Sequence, residues 1–207
     1  MTVLARAPLH RSLLLAFLGV MVAVLAVAPA ARADSLLDGV TGSDCDRTVS
    51  QPFLPWGDSA QYFLAPNGDF ADGADGWLVS GGDVVGESSP LGGGGALHLA
   101  SGDSATSPGV CVGLDTPTMR FFARNAGDPD GDLRVDVRFE SLLGLTLTLP
   151  IGTVNAGSEW APSPTLPIVA NLLGILGGSH APVAFRFRAQ GGDWVIDDLY
   201  VDPYGKG

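Results

Sequence analysis

The sequence predicts an all-β fold of the two-sheet sandwich type, and three observations carry that prediction. The first is alternation. Leu133, Val135, Val137 and Phe139 alternate with Arg134, Asp136, Arg138 and Glu140. Leu145, Leu147 and Leu149 alternate with Thr146 and Thr148, and Val183, Phe185 and Phe187 with Ala184, Arg186 and Arg188. Period two marks a strand with one buried face. The second is punctuation. Gly127-Asp128-Pro129-Asp130-Gly131 and Gln190-Gly191-Gly192-Asp193 separate apolar runs with residues that favour tight turns. The third is the lack of a helical period. Only Leu166 to Leu176 is a helix candidate, and Pro167, Gly174 and Gly177 limit it to a short turn or a loop. Eight or so short strands divided by such turns imply a sandwich or jelly roll.

In chain order, residues 1–33 read as a signal segment. Arg6 and Arg11 form a positive n-region, Leu13 to Val27 is an unbroken apolar run, and Ala31-Arg32-Ala33 gives the small-x-small pattern of a cleavage site. At 1.5 Å per residue the run reaches about 22 Å, short of the roughly 30 Å hydrocarbon core, so cleavage is expected rather than a retained anchor. No later run is long and apolar enough to span a membrane. The expected location is secreted, extracellular or at the cell surface.

Residues 34–66 have no clear period and carry Gly39, Gly42, Pro52, Pro55 and Gly57. Phe53, Trp56, Tyr62 and Phe63 make this stretch too apolar for a free linker. It reads as an ordered, irregular N-terminal extension packed on the domain surface. Residues 67–207 form the β domain. Its expected strands are Trp77–Val79, Ala96–Leu99, Gly109–Gly113, Thr118–Asn125, the three alternating runs above, and Trp194–Val201. Gly92–Gly95 reads as a flexible loop, because no Lys-Ser/Thr follows it to make a phosphate cradle.

Composition excludes some partners. The signal segment holds three basic residues and no acid, so residues 34–207 carry eight Lys and Arg against 22 Asp and Glu. Phosphate repels such a chain, which argues against nucleic acid. Cys45 and Cys111 are the only cysteines, and an even count in an exported chain reads as one disulfide. Closing that loop would remove about 4 kcal/mol of unfolded-chain entropy and tie the extension to the domain. Two sulfurs without nearby histidines do not make a zinc site.

Asn67-Gly68-Asp69-Phe70 followed by Gly76-Trp77, Arg120-Phe121-Phe122-Ala123-Arg124 in mid-chain, and Ile196-Asp197-Asp198-Leu199 near the end resemble the opening, middle and closing strands of the galactose-binding-like β-jelly-rolls. Many secreted carbohydrate-binding modules have this fold. The resemblance covers about residues 67–202. It implies a jelly roll in which Trp77 and Trp194 are core. It also implies a structural Ca2+ joining the opening segment to the closing strand, with Asn67, Asp69, Asp197 and Asp198 as hard oxygen ligands. Ala71 stands where the family pattern has a glutamate, which removes one ligand. The alternative is that Asp197 and Asp198 cap turns or pair with arginines.

No Gly-x-Ser-x-Gly or His-Glu-x-x-His motif occurs, and His98 and His180 stand far apart in the sequence. Asp197 and Asp198 are adjacent, so on a regular strand they would point to opposite faces. The expectation is therefore a non-catalytic module. Arginine is the better lead. Arg120 and Arg124, Arg134 and Arg138, and Arg186 and Arg188 fall at even spacings in three strands, opposite Phe121 and Ala123, Val135, Val137 and Phe139, and Phe185 and Phe187. In the expected jelly roll these strands share one sheet, whose outer face carries an arginine row with Phe122, Asp136, Glu140 and Gln190. That row is a candidate face for an anionic glycan, since arginine forks pair with carboxylates and sulfates. It can equally be a solvated sheet of ordinary ion pairs, or a face covered by the extension. Trp56 and Trp160 lie in loops. Trp160 is the sugar-stacking candidate, or else a loop anchor. Two functions follow: carbohydrate or cell-envelope polymer binding, and a structural or protein-interaction role on the same fold.

Overall fold

The computed structural model describes residues 48–113, 115–141, 143–168 and 180–203. The expected signal segment, Cys45 and residues 169–176 of the helix candidate lie outside the described residues.

Thirteen strands are described: β1 (Phe63–Leu64), β2 (Leu78–Ser80), β3 (Asp83–Val85), β4 (Ala96–Leu99), β5 (Ser104–Thr106), β6 (Val110–Gly113), β7 (Thr118–Asn125), β8 (Asp132–Glu140), β9 (Thr146–Val154), β10 (Ala161–Pro162), β11 (Leu166–Pro167), β12 (His180–Gln190) and β13 (Trp194–Asp202). They form two antiparallel sheets. The first runs β10–β7–β13–β4–β3, with β1 also on β13 and β11 also on β7. The second runs β2–β5–β12–β8–β9, with β6 also on β12. This is the two-sheet jelly-roll sandwich expected from the alternation.

The alternation also predicts the core. Phe121 and Ala123 of β7, Val135, Val137 and Phe139 of β8, Phe185 and Phe187 of β12, and Trp77 and Trp194 are all buried between the sheets. The rings of Phe121 and Phe187 meet edge-to-face at 5.0 Å, and those of Phe70 and Trp77 lie tilted at 36°, 4.7 Å apart. Five short strands were not expected as such. β1 lies inside the extension, and β3, β5, β10 and β11 are two or three residues long. Two or three residues give too little alternation to read. Leu166–Pro167 pairs with the start of β7 rather than turning into a helix.

One connection decides where the arginines go. β7 ends in the first sheet and β8 begins in the second. The turn between them packs against residues 191–193 so closely that a Cβ on Gly131 would sit 2.7 Å from the backbone nitrogen of Gly192. That crossover overturns the single arginine row. Arg120, Phe122 and Arg124 face outward from the first sheet. Arg134, Arg138, Arg186 and Arg188 belong to the second, where β8 and β12 pair along eight residues.

Candidate functional site

The outer face of the first sheet is covered. Residues 53–62 lie on it, with a single 3-10 turn at Leu54–Trp56. Phe53 has no exposed surface, and its ring sits 5.3 Å from Phe122, 5.0 Å from Tyr62 and 5.7 Å from Tyr200. Phe122 is wholly buried, so it is not the flat ligand contact that the sequence suggested. Trp56 closes over it at 4.9 Å. Arg120 holds this lid down. Its Nη1 donates to Asp58 at 2.6 Å, its Nε and Nη2 donate to the Ser163 carbonyl, and its guanidinium lies 4.7 Å from the Phe53 ring. Burial works against the Asp58 carboxylate, yet hydrogen bonds from Ala60, Tyr62 and Arg120 outweigh it and hold its pKa below the usual range. Arg124 makes a two-pronged pair with Glu87 at 2.8 Å. That hydrogen bond lowers the Glu87 pKa and raises that of Arg124. Trp160 is half-buried and packs beside this cluster, 5.9 Å from the Arg124 guanidinium. It is a loop anchor here. Arg120, Phe122, Arg124 and Trp160 therefore staple the extension to the sheet.

The second sheet carries the remaining four arginines. Register places its outer face in rungs. One rung reads Ser80, Ser104, Arg188, Arg134, Thr153. The next reads Leu78, Thr106, Arg186, Asp136, Pro150. A third reads Ala184, Arg138, Thr148. Asp136 is the pivot. It is almost wholly buried, accepts a hydrogen bond from Arg134 Nε at 2.9 Å, and has its other oxygen 3.0 Å from Arg188 Nη2. That second contact is close but poorly aligned, and Asp136 Oδ2 has no hydrogen bond of good geometry. Arg186 Nη2 reaches only the Ser104 hydroxyl, at 3.3 Å. Among the described residues neither Arg138 nor Arg186 forms an ion pair, and the Nε atoms of Arg138 and Arg188 are buried without a partner. Burial, and then the like charge of Arg186, lower the Arg138 pKa. Glu140 ends the strand in an exposed position, and Gln190 lies at the opposite end of the face. Leu78, at the margin, is 53% exposed. Its place on this face was not read from the sequence, because the three residues of β2 carry no alternation of their own.

A third cluster joins the opening and closing segments. β13 carries a bulge between Asp197 and Tyr200, and Asp198 sits at φ 53°. The bulge cancels the strand alternation, so both carboxylates meet Ser89: Asp197 accepts from its N–H at 2.8 Å and Asp198 from its hydroxyl. This corrects the expectation of opposite faces. Burial pushes Asp197 up to about 7, with Asp198 and Asp69 adding repulsion. Burial and Asp69 push Asp198 up to about 6. Asn67 takes no part in this. Its amide donates to the carbonyls of Gly73 and Asp75 and accepts from the Asp72 N–H. Among the described residues no three Asp, Glu, His or Cys side chains converge as a ready metal cage. Asp69, Asp197 and Asp198 nevertheless fit a hard cation in kind, being oxygen donors whose mutual repulsion no basic side chain among the described residues relieves. Backbone carbonyls would have to complete the shell.

The two described histidines sit in different sheets. His98 Nδ1 lies 3.4 Å from Asp83, and His180 Nε2 lies 3.2 Å from Asp115. Cys111 is buried in β6, and no described cysteine is free.

No family model matches the sequence, and no curated protein does. Solved structures do match. The N-terminal CBM22-1-CBM22-2 tandem domain of Paenibacillus barcinonensis Xyn10C is similar over 69% of this chain and 44% of that one, at 12% identity and a TM-score of 0.50. The fold is that of the carbohydrate-binding modules. This chain spans less than half of that tandem. The CBM22-1 xylan-binding domain of the same protein is similar over 61% of this chain and 84% of that one, at 12% identity and a TM-score of 0.46. The CBM22-1-GH10 modules of Clostridium thermocellum xylanase 10B, complexed with xylohexaose, are similar over 66% of this chain and 28% of that one, at 15% identity and a TM-score of 0.48. At these identities the likeness is one of fold.

Proposed function

We propose that this chain is an exported, non-catalytic carbohydrate-binding module whose ligand is an acidic glycan held on the outer face of the second sheet. One observation carries the reading: four arginines gather around one buried aspartate on a single sheet face, in a chain that is otherwise strongly acidic. Fixed, planar donor forks suit carboxylate or sulfate, and Leu78 and Pro150 offer apolar surface beside them. The extension lies over Phe122 on the first sheet, which favours the second sheet as the ligand face. A structural calcium ion held by Asp69, Asp197 and Asp198 belongs to the same proposal, as does a Cys45–Cys111 disulfide anchoring the extension.

The test is a glycan array of residues 34–207, with calcium, at two salt concentrations. Selective, salt-sensitive binding to acidic glycans is expected. An absence of binding to any glycan defeats the reading. The second reading, a structural or protein-interaction module, is favoured by a different observation. Leu143, Leu145 and Leu147 are 84%, 59% and 42% exposed around the β8–β9 turn, an unusual concentration of apolar surface.

A further inference from the structure

The four arginines of the second sheet are not equivalent. Asp136 pairs with Arg134 and Arg188, although its Oδ2 keeps no hydrogen bond of good geometry. Among the described residues neither of the other two forms an ion pair, although the exposed Glu140 follows Arg138 by two residues on the same strand face. Arg186 stands on the same rung as Asp136, and Arg138 stands one rung along, directly opposite Ala184. They are diagonal neighbours, roughly 7–8 Å apart at the backbone, and no bulky side chain stands between them. Partial burial disfavours the Arg138 charge, and the like charge of Arg186 adds to that cost. Arg138 Nε is sealed from water with no acceptor.

We propose that Arg138 and Arg186 form the anion-reading dyad of this face: their two forks converge on one oxyanion borne on a sugar, the carboxylate of a uronic acid or a sulfate ester. Arg134, Asp136 and Arg188 are positioning residues, a fixed frame beside the dyad. Exposed Thr148 flanks Arg138 on the neighbouring strand, so a hydroxyl group borders the bound anion on that side. Leu78 and Pro150 end the Arg186 rung on opposite sides, about 19 Å apart, and each offers apolar surface to a separate sugar ring of a chain crossing the strands. An anion at this point relieves the repulsion between the two guanidinium groups and separates acidic from neutral glycans by a charge-assisted, two-pronged contact. This inference rests on the acidic-glycan reading above.

The test is titration calorimetry with four probes: hexagalacturonate, its methyl ester, a sulfated galactan hexasaccharide and xylohexaose. The proteins are the unmodified chain, Arg138→Gln, Arg186→Gln and the two corresponding Lys variants, each with its melting temperature. The unmodified chain is expected to bind hexagalacturonate or the sulfated galactan and to lose at least an order of magnitude in affinity on the uncharged ester. Each Gln variant should lose on the order of 10–100-fold for the acidic probe that binds. The Lys variants, charged but lacking the fork, should fall between. Binding of hexagalacturonate assigns the dyad to carboxylate; binding of the sulfated galactan alone assigns it to sulfate. Equal affinity for acid and ester, or Gln variants that bind within twofold while melting normally, would overturn the dyad. Xylohexaose binding that ignores both substitutions would leave a carbohydrate module and remove the dyad. No binding to any probe removes both.

Discussion

Phe53→Ala is the sharpest test of the covered first sheet. Phe53 is fully buried and touches Phe122, Tyr62, Tyr200 and the Arg120 guanidinium. Removing such a ring from a packed cluster costs about 3–5 kcal/mol. The lower end applies here, because the cluster is small and Trp56, already against Phe122, can fall into part of the gap. For a domain of this size each kcal/mol lowers the melting temperature by about 2–4 °C, so the expected drop is about 6–12 °C if the extension unfolds with the sandwich. If the extension opens on its own, the main transition moves less and residues 48–62 become open to protease in the native state. Thermal unfolding and limited proteolysis together distinguish these routes. A melting temperature within 2 °C of the unmodified chain, with no new cleavage, would refute the claim that Phe53 anchors the extension.

Three further outcomes are expected. With chelator present, stability should fall as pH rises from about 5 to 8. Asp197 and Asp198 titrate near 7 and 6 in the fold but near 3.8 when unfolded, so across that window the folded chain holds protons that the unfolded chain has lost. Asp198→Asn keeps an acceptor for Ser89 and suits the positive φ, so it should flatten this dependence. A melting temperature of the unmodified chain that stays level or rises toward pH 8 would contradict the expectation. If calcium binds there, adding it at pH 8 should restore the lost stability in the unmodified chain and not in Asp198→Asn, as differential scanning calorimetry would register. Non-reducing peptide mapping should join Cys45 to Cys111, and two alkylated free thiols would remove the tether.

The core was legible because alternation reports which residues face inward. Val135, Val137, Phe139, Phe185 and Phe187 needed nothing more than their spacing. Alternation does not report which sheet a strand joins. Arg120 and Arg134 look alike in sequence, yet one sits under the extension and the other faces solvent on the opposite side of the molecule. The deciding feature is the tight crossover at residues 127–131, whose consequence depends on long-range pairing. The Asp197–Asp198 pair was misread for a local reason. A bulge inserts residues into the register without leaving a mark in the hydrophobic pattern. Ser89 was not singled out at all, because its role comes from a contact more than a hundred residues away.

The β8–β9 register shift has a consequence for how copies of this protein meet. Among the described residues β9 pairs only with β8, which leaves its far side as a sheet edge rich in threonine and leucine. Such an edge invites a strand from another molecule. Here Pro150 offers no N–H at the midpoint, and the irregularity between Val135 and Asp136 kinks the register beside it. An incoming strand could follow Thr146 to Leu149 and then lose its partners. The same rung that carries Arg186 and the buried Asp136 thus ends in a residue that keeps the sheet from growing into its neighbours.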